Sequence, residues 1–353
     1  MPDQGSASPG LEMHEDVRPA GASSPGEENG RGRTSGLPDG RSTCPVCNTP
    51  GTLVKRLSPE FIGAGLERYY CEPVPAGLGL LDYDVLRCTE CTLEYAFPMI
   101  PASESFYSWI AQRPNYYPNR RWEWERVAGH ARRRGLPGPR VLEVGCGSGI
   151  FLGLLRKDLM TVSAVGLDPT GSSVAKCLEA GIEAYPETIE AYASNPRRRL
   201  KTFDLIVAFH CLEHVADPKG FLRSMLALSN AGTSIFVSTP YSPMYFERNW
   251  HDPLNHPPHH LTRWNETAYA ALASQLRLKL ELSMPRARGT LSRALAAAKL
   301  LAHGPNHGPR NAVSTVFSHP LTFAREFLQQ SARHRVNGMV APNVILARFR
   351  SPA

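Results

Sequence analysis

Three glycines at alternate positions, Gly145, Gly147 and Gly149, follow directly on the apolar run Val141–Val144, which carries an acid, Glu143. A glycine-rich turn behind a strand has no Cβ atoms in the way, so a nucleotide-like ligand can approach its backbone N–H groups closely. The spacing is Gly-x-Gly-x-Gly, one residue shorter than the dinucleotide-binding Gly-x-Gly-x-x-Gly. A second acid, Asp168, lies 19 residues past Gly149 at the end of another apolar run. A carboxylate there can accept both hydroxyls of a ribose, or it can cap the turn before Pro169. Two Cys-x-x-Cys pairs, Cys44/Cys47 and Cys88/Cys91, stand 40 residues apart. Each pair can give two thiolates to one ion, so together they make a tetrahedral four-cysteine zinc site, with Cys71 between them as an alternative ligand. A redox role fits less well, because neither pair opens a helix after a strand. A third group of reactive side chains runs from Tyr241 through His251, Asp252 and His256 to His259 and His260. Prolines stiffen this segment and would fix its imidazoles as bases or ligands.

The elements that position these groups are legible in the same sequence. From Arg140 the chain alternates short apolar runs with helical periods: strands over Val141–Val144, Val162–Leu167, Ile182–Tyr185, Phe203–Phe209 and Thr233–Ser238, and helices over Ile150–Leu159, Ser172–Ala180 and Asp217–Leu228. Gly181 stops one helix and Pro218 opens another. Strands joined by helices of this length imply βαβ units and an open parallel sheet, an α/β fold. Beyond Thr239, Asn265–Leu276 reads as a helix, and Leu278–Leu282 and Asn343–Phe349 as strands. Between those two strands, residues 285–340 read as a helical insertion rich in Arg and Ala. Ahead of the sheet, Phe106, Tyr107, Trp109, Tyr116, Tyr117, Trp122 and Trp124 suit one or two helices, as core packing or as a lid. The expected organisation is a disordered tail over 1–42, a cysteine-bearing domain over 43–97, a helical lid or linker over 98–139, and an α/β domain over 140–353.

The strand ends, taken together, resemble the motifs of class I S-adenosylmethionine (SAM)-dependent methyltransferases. Glu143 and Gly145-Cys-Gly-Ser-Gly149 resemble the first motif. The strand Phe203–Phe209 with His210 and the following Leu212-Glu213-His214 resemble the fourth. The resemblance implies a Rossmann-like sheet of order 3-2-1-4-5-7-6 with its last strand antiparallel. It also implies SAM contacts from Glu143, Gly145, Gly147, Gly149, Asp168, Phe209 and His210, with adenine near Glu187-Thr188-Ile189. Leu212-Glu213-His214 is taken as organising the loop, with His214 structural. In many relatives a His-His-Leu similar to His259-His260-Leu261 faces the substrate cleft, which gives His259 or His260 as base or substrate ligand. Tyr241 is a third catalytic candidate. Some quinone-ring methyltransferases with a similar Leu-Glu-His loop use a divalent ion, so a second metal on the His-rich loop is a further reading. A zinc ribbon ahead of such a domain resembles bacterial enzymes that methylate sugars and related small molecules. The sugar C-methyltransferases among them carry a large additional C-terminal domain, which the length remaining here does not provide.

Bulk composition narrows the partners. The net charge of +7 and the pI near 9.0 point weakly to an anionic partner, and the runs Arg132–Arg134 and Arg197–Arg199 read as solvated helix ends. Around the cysteines, Lys55, Arg56, Arg68 and Arg87 are outnumbered by Glu60, Glu67, Glu72, Asp82, Asp84, Glu90 and Glu94. That acidity argues against a nucleic-acid partner. No run reaches the roughly 18 apolar residues that span a bilayer, and the polar N-terminus reads as cytoplasmic. The leading expectation is a SAM-dependent methyltransferase of a small-molecule or sugar acceptor. An RNA or protein methyltransferase and a non-catalytic SAM-binding scaffold are the competing readings, and the oligomeric state is open.

Overall fold

Alternation along the central strands fixes the architecture. The structure, a computed structural model, describes residues 43–113, 116, 118–159, 162–244, 247, 251–285, 289–303, 312–337 and 343–351. The expected tail over 1–42 lies outside them, as does Tyr117. In chain order the elements are β1 (Gly51–Leu57), α1 (Pro59–Tyr70), β2 (Tyr83–Cys88), β3 (Glu94–Phe97), α2 (Glu104–Ala111), α3 (Trp122–Arg134), β4 (Arg140–Val144), α4 (Ile150–Asp158), β5 (Ser163–Leu167), α5 (Gly171–Glu179), β6 (Glu183–Tyr185), α6 (Ile189–Ser194), α7 (Pro196–Arg199) and β7 (Phe203–Phe209). They continue with α8 (Pro218–Ala227), β8 (Ser229–Pro240), β9 (Thr262–Arg263), α9 (Glu266–Gln275), β10 (Lys279–Ser283), α10 (Thr290–His303), α11 (Ala312–Ser318), α12 (Pro320–Asn337) and β11 (Val344–Arg350).

β10-β11-β8-β7-β4-β5-β6 form one seven-stranded sheet. β8, β7, β4, β5 and β6 run parallel, and β11 is antiparallel to both β8 and β10. Numbered within the sheet, this is the order 3-2-1-4-5-7-6 with the last strand reversed. Leu142, Val144, Ile206 and Ala208 face one core, while Val141, Leu205, Val207 and Phe209 face the other. Burial on both faces is what a parallel sheet covered by helices requires. Asp217 caps α8 by accepting from the Gly220 N–H, and Asn265 caps α9 by accepting from the Ala268 N–H. The insertion between β10 and β11 carries α10, α11 and α12.

The N-terminal region is less separate than a domain ending at residue 97 implies. Residues 39–353 form one compact unit. β1, β2 and β3 make an antiparallel sheet whose fourth strand is β9, from beyond β8. Cys44, Cys88 and Cys91 share a core with Trp264, Ala268 and Tyr269. The two-residue strand β9 carries no period of its own, which is why its pairing is not visible in the sequence.

Candidate functional site: a glycine loop, a thiol tetrad and a histidine cluster

The four cysteines converge. Cys44 Sγ stands 3.6 Å from Cys91 Sγ and 4.0 Å from Cys47 Sγ, and Cys47 Sγ stands 3.9 Å from Cys88 Sγ. Tetrahedral zinc with Zn–S bonds of ~2.3 Å has sulfur–sulfur edges of ~3.8 Å, so the tetrad fits the ion. Backbone N–H groups of Val46 and Cys91 point at Cys44 and Cys88 sulfurs. Asn48 and Thr92, one residue past each pair, adopt φ of 61° and 60°, turning the chain around the tetrad. The neighbouring Cys91 thiol lowers the pKa of Cys44, against the opposing effect of burial. Cys71 is exposed and belongs to the C-terminal end of α1, outside the tetrad. The 40-residue gap holds α1.

The glycine loop leaves β4 with φ of 70° at Gly145, 52° at Gly147 and 75° at Gly149. Gly145 and Cys146 N–H both donate to the Leu167 carbonyl, tying the loop to the end of β5. Asp168 closes the turn from the other side. Its Oδ2 accepts from Gly147 N–H and its Oδ1 from Thr170 N–H, both at 2.9 Å. Each oxygen keeps a second lone pair for a ribose hydroxyl. Glu143 is 3% exposed, and among the described residues its Oε2 has no hydrogen-bond partner. Burial, aided by Cys177 and Asp168, drives its pKa well above the usual carboxylate range. A buried carboxyl oxygen left orphaned under a glycine loop fits a ligand cation such as an ammonium group. Thr188 caps α6, and Glu187 is ion-paired with Arg198 beside it.

At the end of β7, Phe209 and His210 part company. Phe209 turns into the core, edge-on to Phe151 with centroids 4.9 Å apart. His210, at φ 55°, places Nε2 2.9 Å from Glu123 and Nδ1 3.3 Å from Glu213. Burial and Arg121 oppose its protonation, but the two carboxylates outweigh them and raise its pKa. Beyond its ion pair with His210, neither Glu213 oxygen has a hydrogen-bond partner among the described residues. Cys211, next in sequence, packs its sulfur over Gly145 and bonds the Val144 carbonyl at 3.2 Å. The His210–His214 segment therefore borders the glycine loop.

Beyond it, the structure brings His214 together with His259 and His260. Ring centroids lie 4.7 Å (His214–His259), 4.8 Å (His214–His260) and 4.5 Å (His259–His260) apart. Burial holds all three neutral at neutral pH, with His259 pushed down to about 3. Tyr116 Oη lies 3.0 Å from His259 Nε2, and Tyr107 Oη 3.3 Å from His214 Nδ1. Sequence reasoning treated His214 as a loop organiser and did not join it to Tyr107 or Tyr116. Partners 143 residues apart leave no local signal. Tyr241 goes elsewhere: its hydroxyl donates to Glu266 Oε2 at 2.9 Å, and burial raises its pKa to about 12.

Part of the chain is similar in sequence to known methyltransferases. Residues 118–281 match the family described as "Methyltransferase domain". Over 112 residues the chain is 34% identical to the "Ubiquinone biosynthesis O-methyltransferase" of Escherichia coli O7:K1 and 33% identical to that of Citrobacter koseri. Each match covers 31% of this chain, and the chain spans 45% of each relative. Among solved structures, a SAM-dependent methyltransferase from Archaeoglobus fulgidus is similar at 15% identity and a TM-score of 0.44, over 70% of this chain and 98% of its own. The plantazolicin methyltransferase BpumL is similar at 12% identity and a TM-score of 0.46, over 70% and 90%.

Proposed function

We propose that this chain, which carries a class I SAM-dependent methyltransferase domain, transfers the methyl group of SAM to a hydroxyl of a small-molecule or sugar acceptor. The observation that carries the cofactor reading is the orphaned, buried Oε2 of Glu143 beneath a loop held open by three glycines at positive φ. Bound SAM would supply a methyl group on a sulfonium. Gly145–Gly149 would take its amino-acid portion against backbone, Glu143 its ammonium and Asp168 its ribose hydroxyls. His210 and the α6 N-terminus would border the remainder, while Phe209, turned into the core, would support the loop from behind. The curated relatives' name, O-methyltransferase, supports an oxygen acceptor. The four thiolates of Cys44, Cys47, Cys88 and Cys91 would hold structural zinc.

The enzyme's task in an in-line displacement is alignment, plus removal of the acceptor's proton. His259 and His260 are neutral imidazoles at the same sheet edge and are the proposed base or acceptor ligand. Tyr241 is committed to Glu266 and would act on the acceptor only after that bond breaks. Calorimetric titration with SAM tests the cofactor reading: binding is expected in the parent chain, abolished in Gly147→Arg and weakened about tenfold or more in Asp168→Ala. Unchanged affinity in both variants overturns it. Incubation with candidate acceptors, followed by release of S-adenosylhomocysteine, separates an enzyme from a SAM-binding scaffold. A compound one methyl group lighter in a deletion strain would name the acceptor.

A further inference from the structure

Three imidazoles packed against one another must each put two ring nitrogens somewhere. His214 Nδ1 lies 2.6 Å from the His259 carbonyl, His259 Nδ1 2.8 Å from the Leu254 carbonyl, and His260 Nδ1 3.0 Å from Asn255 Oδ1. A carbonyl or carboxamide oxygen only accepts, so each Nδ1 carries the proton and donates. The tautomer is thereby fixed, and each Nε2 is left with a bare lone pair. One ring nitrogen from each of the three lies within 4.8 Å of the others. Tyr116 Oη can donate to His259 Nε2, but none of the hydrogen bonds among the described residues reaches Nε2 of His214 or His260. With each Nδ1 committed to an oxygen, the three remaining acceptor nitrogens belong to rings whose centroids lie 4.5–4.8 Å apart, an electron-rich cluster that a cation would satisfy.

We infer that His214, His259 and His260 form a second metal site, distinct from the cysteine tetrad, that takes one divalent transition ion through three Nε2 atoms. An all-imidazole set selects zinc, cobalt, nickel or copper over magnesium and calcium, which prefer oxygen. The Nδ1–H bonds to oxygen acceptors are the outer contacts that orient ligating histidines. Metal–nitrogen bonds of ~2.0–2.1 Å imply nitrogen–nitrogen edges of ~3.3 Å, so the rings draw together on loading and Tyr116 releases His259. Three protein ligands leave a fourth position open, as in catalytic rather than structural sites. His214 lies on the segment that packs on the glycine loop through Cys211, which sets the cluster beside that loop. The site itself stands on this geometry and not on the methyl-transfer reading; with the ion bound, His259 and His260 would hold it rather than act as free bases.

The test uses the full chain with its cysteine site zinc-loaded and cobalt(II) as the probe. One further equivalent of cobalt is expected to bind with visible d–d bands and no thiolate-to-cobalt charge-transfer band. His259→Gln and His260→Gln are expected to abolish that equivalent while zinc content and SAM affinity stay at the parent values. Asn255→Leu, which removes the outer contact of His260 together with the Asn255 bond to Glu247, is expected to weaken cobalt roughly 10–100-fold. Absence of a second equivalent in the folded parent chain overturns the proposal. So does cobalt binding that survives both His→Gln variants. Loss of SAM binding with cobalt retained would instead count against the cofactor assignment alone.

Discussion

At the residue scale, the His210 network makes a pH-dependent contribution whose sign can be worked out. His210 faces Glu123 on α3 and Glu213 in its own loop, with Arg121 3.9 Å from Glu123 and His214 and His260 further off. His210 has a raised pKa in the folded chain. Its contribution is therefore full below its unfolded value, near 6.5, and is lost as pH rises through the folded value. For Glu123, burial alone would raise the pKa, but the hydrogen bond and charge of His210 lower it overall. Its contribution is present above about pH 4.5 and lost as pH falls through the depressed value. Both terms are fully present only between about pH 4.5 and 6.5. Glu123→Gln should cost about 3 kcal/mol of unfolding free energy at pH 5.5, the scale for removing one partner of a buried pair. The cost should shrink once the pH passes the His210 pKa. Urea unfolding of both proteins from pH 4.5 to 9 measures this, and a difference that stays flat across the range would refute the pairing.

At the element scale, the glycine loop works because two elements press on it. A Cβ on Gly145 would overlap Cys211 Sγ from the loop after β7, while its distance to Cys211 Cβ would be an ordinary 3.7 Å. A Cβ on Gly149 would stand 3.0 Å from both Cys177 Sγ on α5 and Ile182 Cδ1. Gly145→Ala therefore suffers twice, from about 1–2 kcal/mol of left-handed backbone strain and from about 1–3 kcal/mol of overpacking. In a Cys211→Ala background only the backbone part should remain, so the cost of Gly145→Ala should fall by at least about 1 kcal/mol. Equal costs in the two backgrounds, read from unfolding midpoints, would show that the sulfur is not what excludes a side chain. The same elements explain what was legible in advance. β7 was found at its observed bounds because seven nearly continuous apolar residues admit no other element in a parallel sheet. The strand order followed from the resemblance and the alternation of elements, and Asp168 and the cysteine pairs from spacing. β9 was not legible, since two residues, Thr262 and Arg263, have no period and pair with β3 across the whole α/β domain. Nor was the joining of His214 to His259, which depends on Leu261 N–H donating to the Glu213 carbonyl at 2.7 Å, a contact made only in the folded chain.

At the scale of the whole molecule, the thiol tetrad and the histidine cluster are mechanically continuous. Thr92, beside Cys91, exchanges hydrogen bonds with Asn265, and Asn48, beside Cys47, accepts from Lys219. From β3 the path passes to β9 through Ala96 N–H and the Leu261 carbonyl at 2.8 Å. Arg263, 9% exposed, pairs with Glu94 of β3 at 3.3 Å and with Glu247 at 2.6 Å. Leu261 and Thr262 directly follow His259 and His260, so whatever releases β3 also releases the imidazoles. Structural zinc supplies on the order of 10 kcal/mol to small folds of this kind, more than the remaining contacts of β1–β3 can replace. On the zinc reading proposed above, Cys47→Ser should lose the metal and, with it, amide protection over both 44–57 and 255–264. Protection over Val141–Val144 and Phe203–Phe209 should remain, because those strands are paired on both sides within the large sheet. Hydrogen exchange read by mass spectrometry separates the cases. If 255–264 keeps its protection when 44–57 loses it, the ribbon is an appendage. If both are lost together, the ribbon is the buttress that holds the histidine loop at the sheet edge.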